Sequence, residues 1–312
     1  MAQERDRWHR WLLDVRHGGD PEYREQVLAR LARVRDDVLD RAALRPDDTV
    51  LDVGTGDGLI AFGALARLGP KGRVILSDIS QDLLDHCRAT AEEAGELQRC
   101  EFVRAPADKL TEIPDASVDV VTTRSVLIYV ADKAAAFAEF RRVLRRGGRI
   151  SIYEPINVLM HDSNPRLFYG YDVGPVAAIA AKVGAKFAAI QPPGSDPMLD
   201  FDDRDLVRLA EQAGFTDIRL DLRVTVTATC PAVPWERFLR QSGNPNLPPL
   251  GELLRAVLDP RQLAEFTAHL RPLVESGRGE HRVAVAYLTA SDAAASEQAA
   301  SGAVASRPSA AG

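Results

Sequence analysis

The chain has 312 residues, of which 46% are hydrophobic and 27% charged, and its formal net charge is −6 at pH 7. A chain of this size can bury a large core, and one α/β domain with appended segments fits it better than two independent domains. The negative charge argues against a nucleic-acid partner, because that kind of binding depends on neutralising phosphates. No membrane partner is expected, since no uninterrupted apolar run approaches the length that spans a bilayer.

Residues 1–46 are expected to form an N-terminal helical leader. Asp20 and Pro21 have the residue types of a helix start, and one apolar face follows at Val27, Leu31, Val34 and Val38. The first ten residues are charged and lack the apolar region of a secretory signal, so a cytoplasmic location is expected. The leader is expected to pack either beside the rest of the chain or over a ligand.

The stretch from Val50 to Gly58 is the most informative in the chain. Thr49 to Val53 has the β-branched and aliphatic composition of a buried parallel strand, and apolar residues recur at helical spacing from Leu59 onward. Between them stand the glycines Gly54, Gly56 and Gly58. Because these glycines carry no Cβ, a ligand can lie against backbone amides at the helix N-terminus.

A second acidic strand end follows at Asp78, after the apolar run that begins at Val74. A carboxylate in this place can accept hydrogen bonds from ribose hydroxyls. A dinucleotide fingerprint would require glycine at position 59, where this chain has Leu59. The spacing therefore favours a nucleoside that lies across the two strand ends.

This pattern resembles motif I and the following acidic strand end of class I S-adenosylmethionine (SAM)-dependent methyltransferases. The resemblance rests on Asp52, the three glycines and Asp78, and it extends to 115–123 and 143–154. It covers about residues 49–154. Within that class the pattern is similar to that of the small-molecule methyltransferases related to the quinone-biosynthesis enzymes.

Strand and helix patterns alternate along the chain, which predicts an α/β fold with a doubly wound, mostly parallel sheet. Strands are expected near 49–53, 74–78, 100–104, 118–123, 149–154, 218–227 and 281–289. Helices are expected near 57–68, 80–94, 132–146 and 203–213, and Gly147 with Gly148 is expected to end the third of these. The resemblance implies a seven-stranded Rossmann-like sheet whose last strand is antiparallel.

The methyltransferase domain is expected to occupy residues 47–290, with helical substrate-cap insertions at about 155–199 and 229–280. Both insertions leave from or return to the rim of the sheet, where ligands of open α/β sheets bind. Residues 291–312 are rich in Ala, Ser, Gly and Pro, and are expected to be a disordered tail.

The resemblance implies SAM as the cofactor and assigns residues to it. Gly54, Gly56 and Gly58 would offer backbone contacts, with Asp52 as support, and Asp78 would bind the ribose diol. The remaining predicted contacts are Ile79, Ala107 and Asp108 around the adenine and Thr123, Arg124 and Ser125 beside the reacting groups. The polar turn at Arg16 is either a surface linker or a segment that closes over the methionine end, where Arg16 would meet the carboxylate.

The predicted reaction is in-line transfer of a methyl group to an O, N or C atom of a small, partly apolar molecule. It requires no metal, and three scattered cysteines show no metal-ligand spacing. Candidates for a general base are Tyr129, Glu154 and His161, and nothing in the sequence selects one of them. A non-catalytic SAM-binding regulatory protein and an NAD-dependent oxidoreductase remain alternatives. The oligomeric state is left open.

Overall fold

The computed structural model describes residues 5–16, 21–161 and 166–291 of the chain. The helices are α1 Arg7–His9, α2 Pro21–Ala42, α3 Leu59–Leu65, α4 Gln81–Glu93, α5 Lys133–Val143, α6 Val158–His161, α7 Ala177–Ile190, α8 Asp203–Gln212, α9 Trp235–Arg240, α10 Leu250–Val257 and α11 Pro260–Ser276, with a π-helical segment at Arg10–Val15. The strands are β1 Thr49–Val53, β2 Arg73–Asp78, β3 Cys100–Arg104, β4 Val118–Arg124, β5 Leu144–Pro155, β6 Leu167–Phe168, β7 Tyr171–Asp172, β8 Thr216–Thr227 and β9 His281–Ser291.

Seven of these strands form one sheet in the order β3-β2-β1-β4-β5-β9-β8. The strands β1 to β5 pair in parallel, and β9 pairs antiparallel with both β5 and β8. The chain reverses its direction of progress across the sheet between β1 and β4, and such a switch point opens a crevice at the carboxyl ends of the strands. The predicted α/β, mostly parallel, doubly wound sheet is confirmed.

Helices cover both faces of the sheet around β1, β4 and β5, where each face presents aliphatic side chains, whereas most of β8 is exposed. One face packs with α5 and α8 in a core that includes Phe137, Phe140 and Leu206. The other face packs with α2, α3 and α4, where Leu39 and Leu84 are buried. A sheet buried on both sides holds the strand ends rigidly, and the residues at those ends are fixed relative to one another.

The end of α5 differs from the sequence-based expectation. The helix ends at Val143, and Gly147 and Gly148 lie inside β5 instead of ending the helix. The carbonyls of Arg142 and Val143 accept hydrogen bonds from the backbone amides of Ala116 and Ser117, at 3.0 and 2.8 Å. Those bonds satisfy the helix end before the glycines are reached, so the chain can turn directly into the strand.

The two insertions pack against each other and share a separate hydrophobic core. Val176 lies just before α7 and Val183 lies in it. Both are buried in one cluster with Trp235 and Phe238 of α9 and Leu254 of α10. The shared core holds both insertions as one cap. Of residues 291–312, predicted to be a disordered tail, Ser291 is the last residue of β9, and residues 292–312 lie outside the described residues. Among the helices of the described residues, none is long and apolar enough to cross a membrane.

Candidate active site

A cavity of about 450 Å³ lies at the carboxyl ends of β1, β2 and β4. Pockets for small molecules have volumes of about 300–1,000 Å³, so this cavity is large enough to hold one. Its walls include nine of the residues that the sequence predicts for the site: Gly54, Gly56, Asp78, Ile79, Ala107, Asp108, Arg124, Ser125 and Tyr129. The fold therefore brings together residues that are up to 75 positions apart in the chain, from Gly54 to Tyr129.

The turn after β1 follows the left-handed backbone path that glycine allows. Gly54 and Gly56 have φ angles of 64° and 59°. A Cβ on Gly54 would lie 2.5 Å from Cγ2 of Val126, and one on Gly56 would lie 3.1 Å from Cδ2 of Leu12. The bare backbone thus faces the cavity because no side chain fits there. Gly58 starts α3 but faces a different cavity, so its predicted contact with the cofactor is not supported by its position.

Asp78 ties the ends of β1 and β2 together at the cavity wall. One carboxylate oxygen accepts the backbone amide of Gly56 at 2.9 Å, and the other accepts that of Ser80 at 2.9 Å. Burial raises the pKa of Asp78, and these two hydrogen bonds oppose that change. Each carboxylate oxygen has a second lone pair, so Asp78 can still accept hydrogen bonds from a ligand's hydroxyl groups.

Asp52 lies beneath the turn and outside the cavity. Its carboxylate accepts hydrogen bonds from the hydroxyls of Thr55 and Thr122, both at 2.8 Å. Burial raises its pKa to about 6 despite these bonds. Asp52 thus connects the turn to β4, and its role in supporting a bound cofactor stays a prediction.

The wall beyond Asp78 has the properties of an adenine subsite. Ile79 is 40% exposed, which is unusual for a large apolar residue beside a buried strand end. Ala107 and Asp108 complete this end of the cavity. An apolar side chain that faces an open slot, with a carboxylate nearby, fits a flat aromatic ring with polar edges.

The end of β4 supplies the opposite wall. Arg124 and Ser125 line the cavity, and Ser125 has a φ angle of 57°, which turns the chain sharply after the strand. Thr123 does not line the cavity. It is fully buried, and its hydroxyl has no hydrogen-bond partner among the described residues. Side chains alternate along a strand, so Arg124 and Thr123 point to opposite faces, and the predicted contact by Thr123 is corrected.

Glu154 holds the loop that follows β4. Its carboxylate is completely buried and accepts the backbone amides of Val126, Leu127 and Ile128 at 2.8, 3.0 and 3.4 Å. Glu154 does not line the cavity, so we correct its predicted role from general base to positioning of the loop that carries Tyr129. His161 ends α6, and its side chain lies outside what the structure describes.

Burial raises the pKa of Glu154 to about 7, against hydrogen bonds that lower it. A carboxyl group with a raised folded-state pKa contributes stability that is complete below its unfolded value and is lost as the pH rises through the folded value. Between about pH 5 and pH 7 we expect the protein to lose up to about 1.4 kcal/mol of unfolding free energy per pH unit from this group. Urea titrations over this pH range should show that the unfolding free energy declines more steeply with pH for wild type than for Glu154→Gln. Equal slopes would contradict a raised pKa at Glu154.

The leader forms one side of the cavity, which the sequence left undecided. Trp8, Trp11 and Leu12 line it, and the rings of Trp8 and Trp11 lie 5.0 and 6.4 Å from the ring of Tyr129. The i, i+3, i+4 spacing of these residues was a usable signal for one helical face. The backbone amide of Asp6 donates to Asp82, and the indole of Trp11 donates to the carbonyl of Ser242 at 3.1 Å. The leader therefore joins the sheet to the cap.

Residues 51–152 match the family model described as "Methyltransferase domain". The chain is 36% identical over 143 residues to the ubiquinone/menaquinone biosynthesis C-methyltransferase UbiE of Hahella chejuensis, covering 45% of this chain and 55% of that protein. It is 37% identical over 125 residues to the UbiE protein of Pseudomonas putida, covering 39% of this chain and 48% of that protein. The chain thus spans about half the length of these curated relatives.

A solved geranyl diphosphate methyltransferase in complex with SAM aligns with 90% of this chain and 94% of its own, at 20% identity and a TM-score of 0.48. The matched family segment contains the glycine turn, Asp78, the strands β2 to β4 and most of β1 and β5. The predicted resemblance to class I SAM-dependent methyltransferases is confirmed by the family match and by the two UbiE relatives.

Proposed function

We propose that this chain, in which residues 51–152 form a methyltransferase domain, transfers a methyl group from SAM to a small, partly apolar acceptor. The proposal is supported mainly by the position of three residues in one cavity. The bare backbone at Gly54 and Gly56 and the carboxylate of Asp78 line the same open cavity, and Asp78 is hydrogen-bonded to Gly56.

The residues of the cavity fit an adenosyl cofactor. Asp78 retains lone pairs for a ribose diol, Ile79 offers an apolar face for adenine, and Gly54 and Gly56 admit the ligand against the main chain. When bound, SAM supplies an electrophilic methyl group on a positively charged sulfur. The chain's own contribution is to hold donor and acceptor in line and to exclude water with the rings of Trp8 and Trp11.

The direct test is calorimetric titration of SAM, S-adenosylhomocysteine (SAH) and NAD into the full chain. We expect micromolar binding of SAM and SAH and none of NAD. Radiolabelled methyl transfer to a mixture of aromatic and aliphatic acceptors then separates an enzyme from a regulatory SAM-binding protein. Binding of NAD in place of SAM would contradict the proposal, and SAM binding without transfer to any acceptor would favour the regulatory alternative.

We propose that Tyr129 contacts the acceptor as a hydrogen-bond donor. Burial raises the pKa of its phenol to about 12, so at neutral pH the group keeps its proton. We expect Tyr129→Phe to preserve the SAH dissociation constant within about twofold. Tyr129→Ala removes two aromatic contacts with the leader and should weaken SAH binding about tenfold. Titration followed by tryptophan fluorescence measures both, and equal losses in the two variants would contradict this packing.

We further propose that the protein acts in the cytoplasm, without a nucleic-acid or membrane partner. The net charge of −6 supports the absence of a nucleic-acid partner, because nucleic-acid binding depends on neutralising phosphates. The aromatic and aliphatic core shared by the two insertions supports a cap over a small molecule.

A further inference from the structure

The end of the cavity opposite Asp78 carries two arginines. Arg124 is the last residue of β4, and Arg16 follows the π-helical segment Arg10–Val15. Both line the cavity, and the guanidinium of Arg16 lies 5.0 Å from the ring centroid of Trp11. Across residues 5–16, 21–161 and 166–291, neither guanidinium forms an ion pair or a hydrogen bond.

The positive charges of Arg16 and Arg124 lie close enough to repel each other. Burial lowers the pKa of Arg16, and the positive charge of Arg124 lowers it further, with Asp57 and Tyr129 opposing that effect. Arg149 and Arg142, which are also half-buried, have carboxylate partners in Asp48 at 2.5 Å and Glu139 at 2.7 Å. Partly desolvated charges without a counter-ion are costly, so the cavity is built to receive an anion at this end.

The proposed cofactor supplies too few negative charges to satisfy both arginines. SAM at neutral pH has a positive sulfonium, a positive ammonium and a single carboxylate. That carboxylate can pair bidentately with one guanidinium. The acids that line the cavity are Asp78 and Asp108, and Asp57 and Asp52 act on Arg16 and Arg124 from outside it, with no ion pair to either arginine among the described residues. One arginine therefore still lacks a counter-charge when the cofactor is bound.

A second cavity of about 340 Å³ adjoins the first, and the two share Arg16 and Gly243. Its other walls include the aromatic residues Tyr23, Tyr169 and Phe238. This space is suited to an apolar body whose polar end reaches toward the arginines.

Resting on the proposed function, we infer that the methyl acceptor is an anion, a carboxylate or phosphate on an apolar body, and that Arg124 binds its charged group. Arg16 then pairs with the carboxylate of the cofactor. We assign Arg124 to the acceptor because it ends β4 beside Ser125, whereas Arg16 lies close enough to Asp57, which belongs to the glycine turn, for the two charges to interact.

The experiment uses the full chain saturated with SAH and follows binding by calorimetry. The probes are benzoate, phenylacetate and octanoate, each beside its uncharged primary amide, together with phenyl phosphate. The variants are Arg124→Met, Arg124→Lys, Arg16→Met and, as a matched control, Arg146→Met at an exposed arginine near the start of β5. Melting temperatures verify that each variant is folded.

We expect at least one anion to bind at least about tenfold more tightly than its amide, because a charge-assisted hydrogen bond is lost with the charge. Arg124→Met should abolish this preference and leave SAH affinity within about threefold, and Arg124→Lys should restore part of it. Arg16→Met should weaken SAH about tenfold, and Arg146→Met should change nothing. Preference for phenyl phosphate over the carboxylates would identify the anion as a phosphate.

The inference is wrong if no anion binds better than its amide, or if Arg124→Met weakens SAH as much as Arg16→Met does, which would place both arginines on the cofactor. These failures differ from failure of the proposed function, because that function fails if the wild-type chain does not bind SAM or SAH, or binds them without transferring a methyl group to any acceptor.

Discussion

Asp78→Ala should weaken SAM binding by a factor of about 100 or more. The substitution removes the group expected to bind the ribose diol and also releases the backbone amide of Gly56, which now donates to Asp78 at 2.9 Å. Hydrogen bonds to a charged group contribute about 1.5–3 kcal/mol each, so the loss of two corresponds to at least this factor. Calorimetric titration of SAM measures the change directly.

Two further variants test whether the loss of SAM affinity is specific to the carboxylate of Asp78. Asp78→Asn keeps one acceptor oxygen that can hold Gly56, and it should bind SAM with an affinity between those of wild type and the alanine variant. Asp85→Ala removes an exposed carboxylate that contacts Gln81 at 2.8 Å, and it should bind SAM like wild type. Undiminished binding by Asp78→Ala would remove this residue from the cofactor site.

Gly56→Val should abolish SAM binding. The φ angle of 59° is strongly unfavourable for a β-branched residue, and a Cβ at this position would lie 3.1 Å from Cδ2 of Leu12. Even if Leu12 moves aside, the new side chain occupies the surface on which the ligand is expected to lie. Titration of SAM into the purified variant, with its melting temperature beside it, measures the outcome.

Gly95→Val is the matched control for backbone strain. Gly95 has a φ angle of 73°, and a Cβ placed there has no neighbour within 4 Å. Gly95 follows the C-terminal end of α4 and does not line the cavity. This variant should lose about 1–3 kcal/mol of stability from strain and still bind SAM. If both valine variants bind equally well, the backbone at Gly56 does not contact the cofactor.

Local patterns were sufficient to predict the sheet and the residues that line the cavity at the ends of β1 and β2. Buried parallel strands are continuous apolar runs, and the glycine turn has positive φ angles that restrict its residue type, so β1 and the turn after it could be recognised from short windows. The position of Asp78 could be predicted in the same way, because this residue ends the apolar run of β2.

Features that depend on distant contacts could not be predicted in this way. The end of α5 is determined by amides of Ala116 and Ser117, which come from another part of the chain. The role of Glu154 depends on three amides of a loop that begins 28 positions earlier in the sequence, at Val126. The placement of Trp8 against Tyr129 is likewise a tertiary contact, and residue types alone do not reveal it.

A crystal structure of the full chain with SAH tests the central claim most directly. We expect ribose hydroxyls within about 3 Å of the Asp78 carboxylate, with the sugar and amino-acid part against the backbone of Gly54 and Gly56. The adenine should contact Ile79. A complex in which SAH binds elsewhere, or in which Trp8 and Leu12 fill the space above Gly56 and exclude the cofactor, would contradict the account.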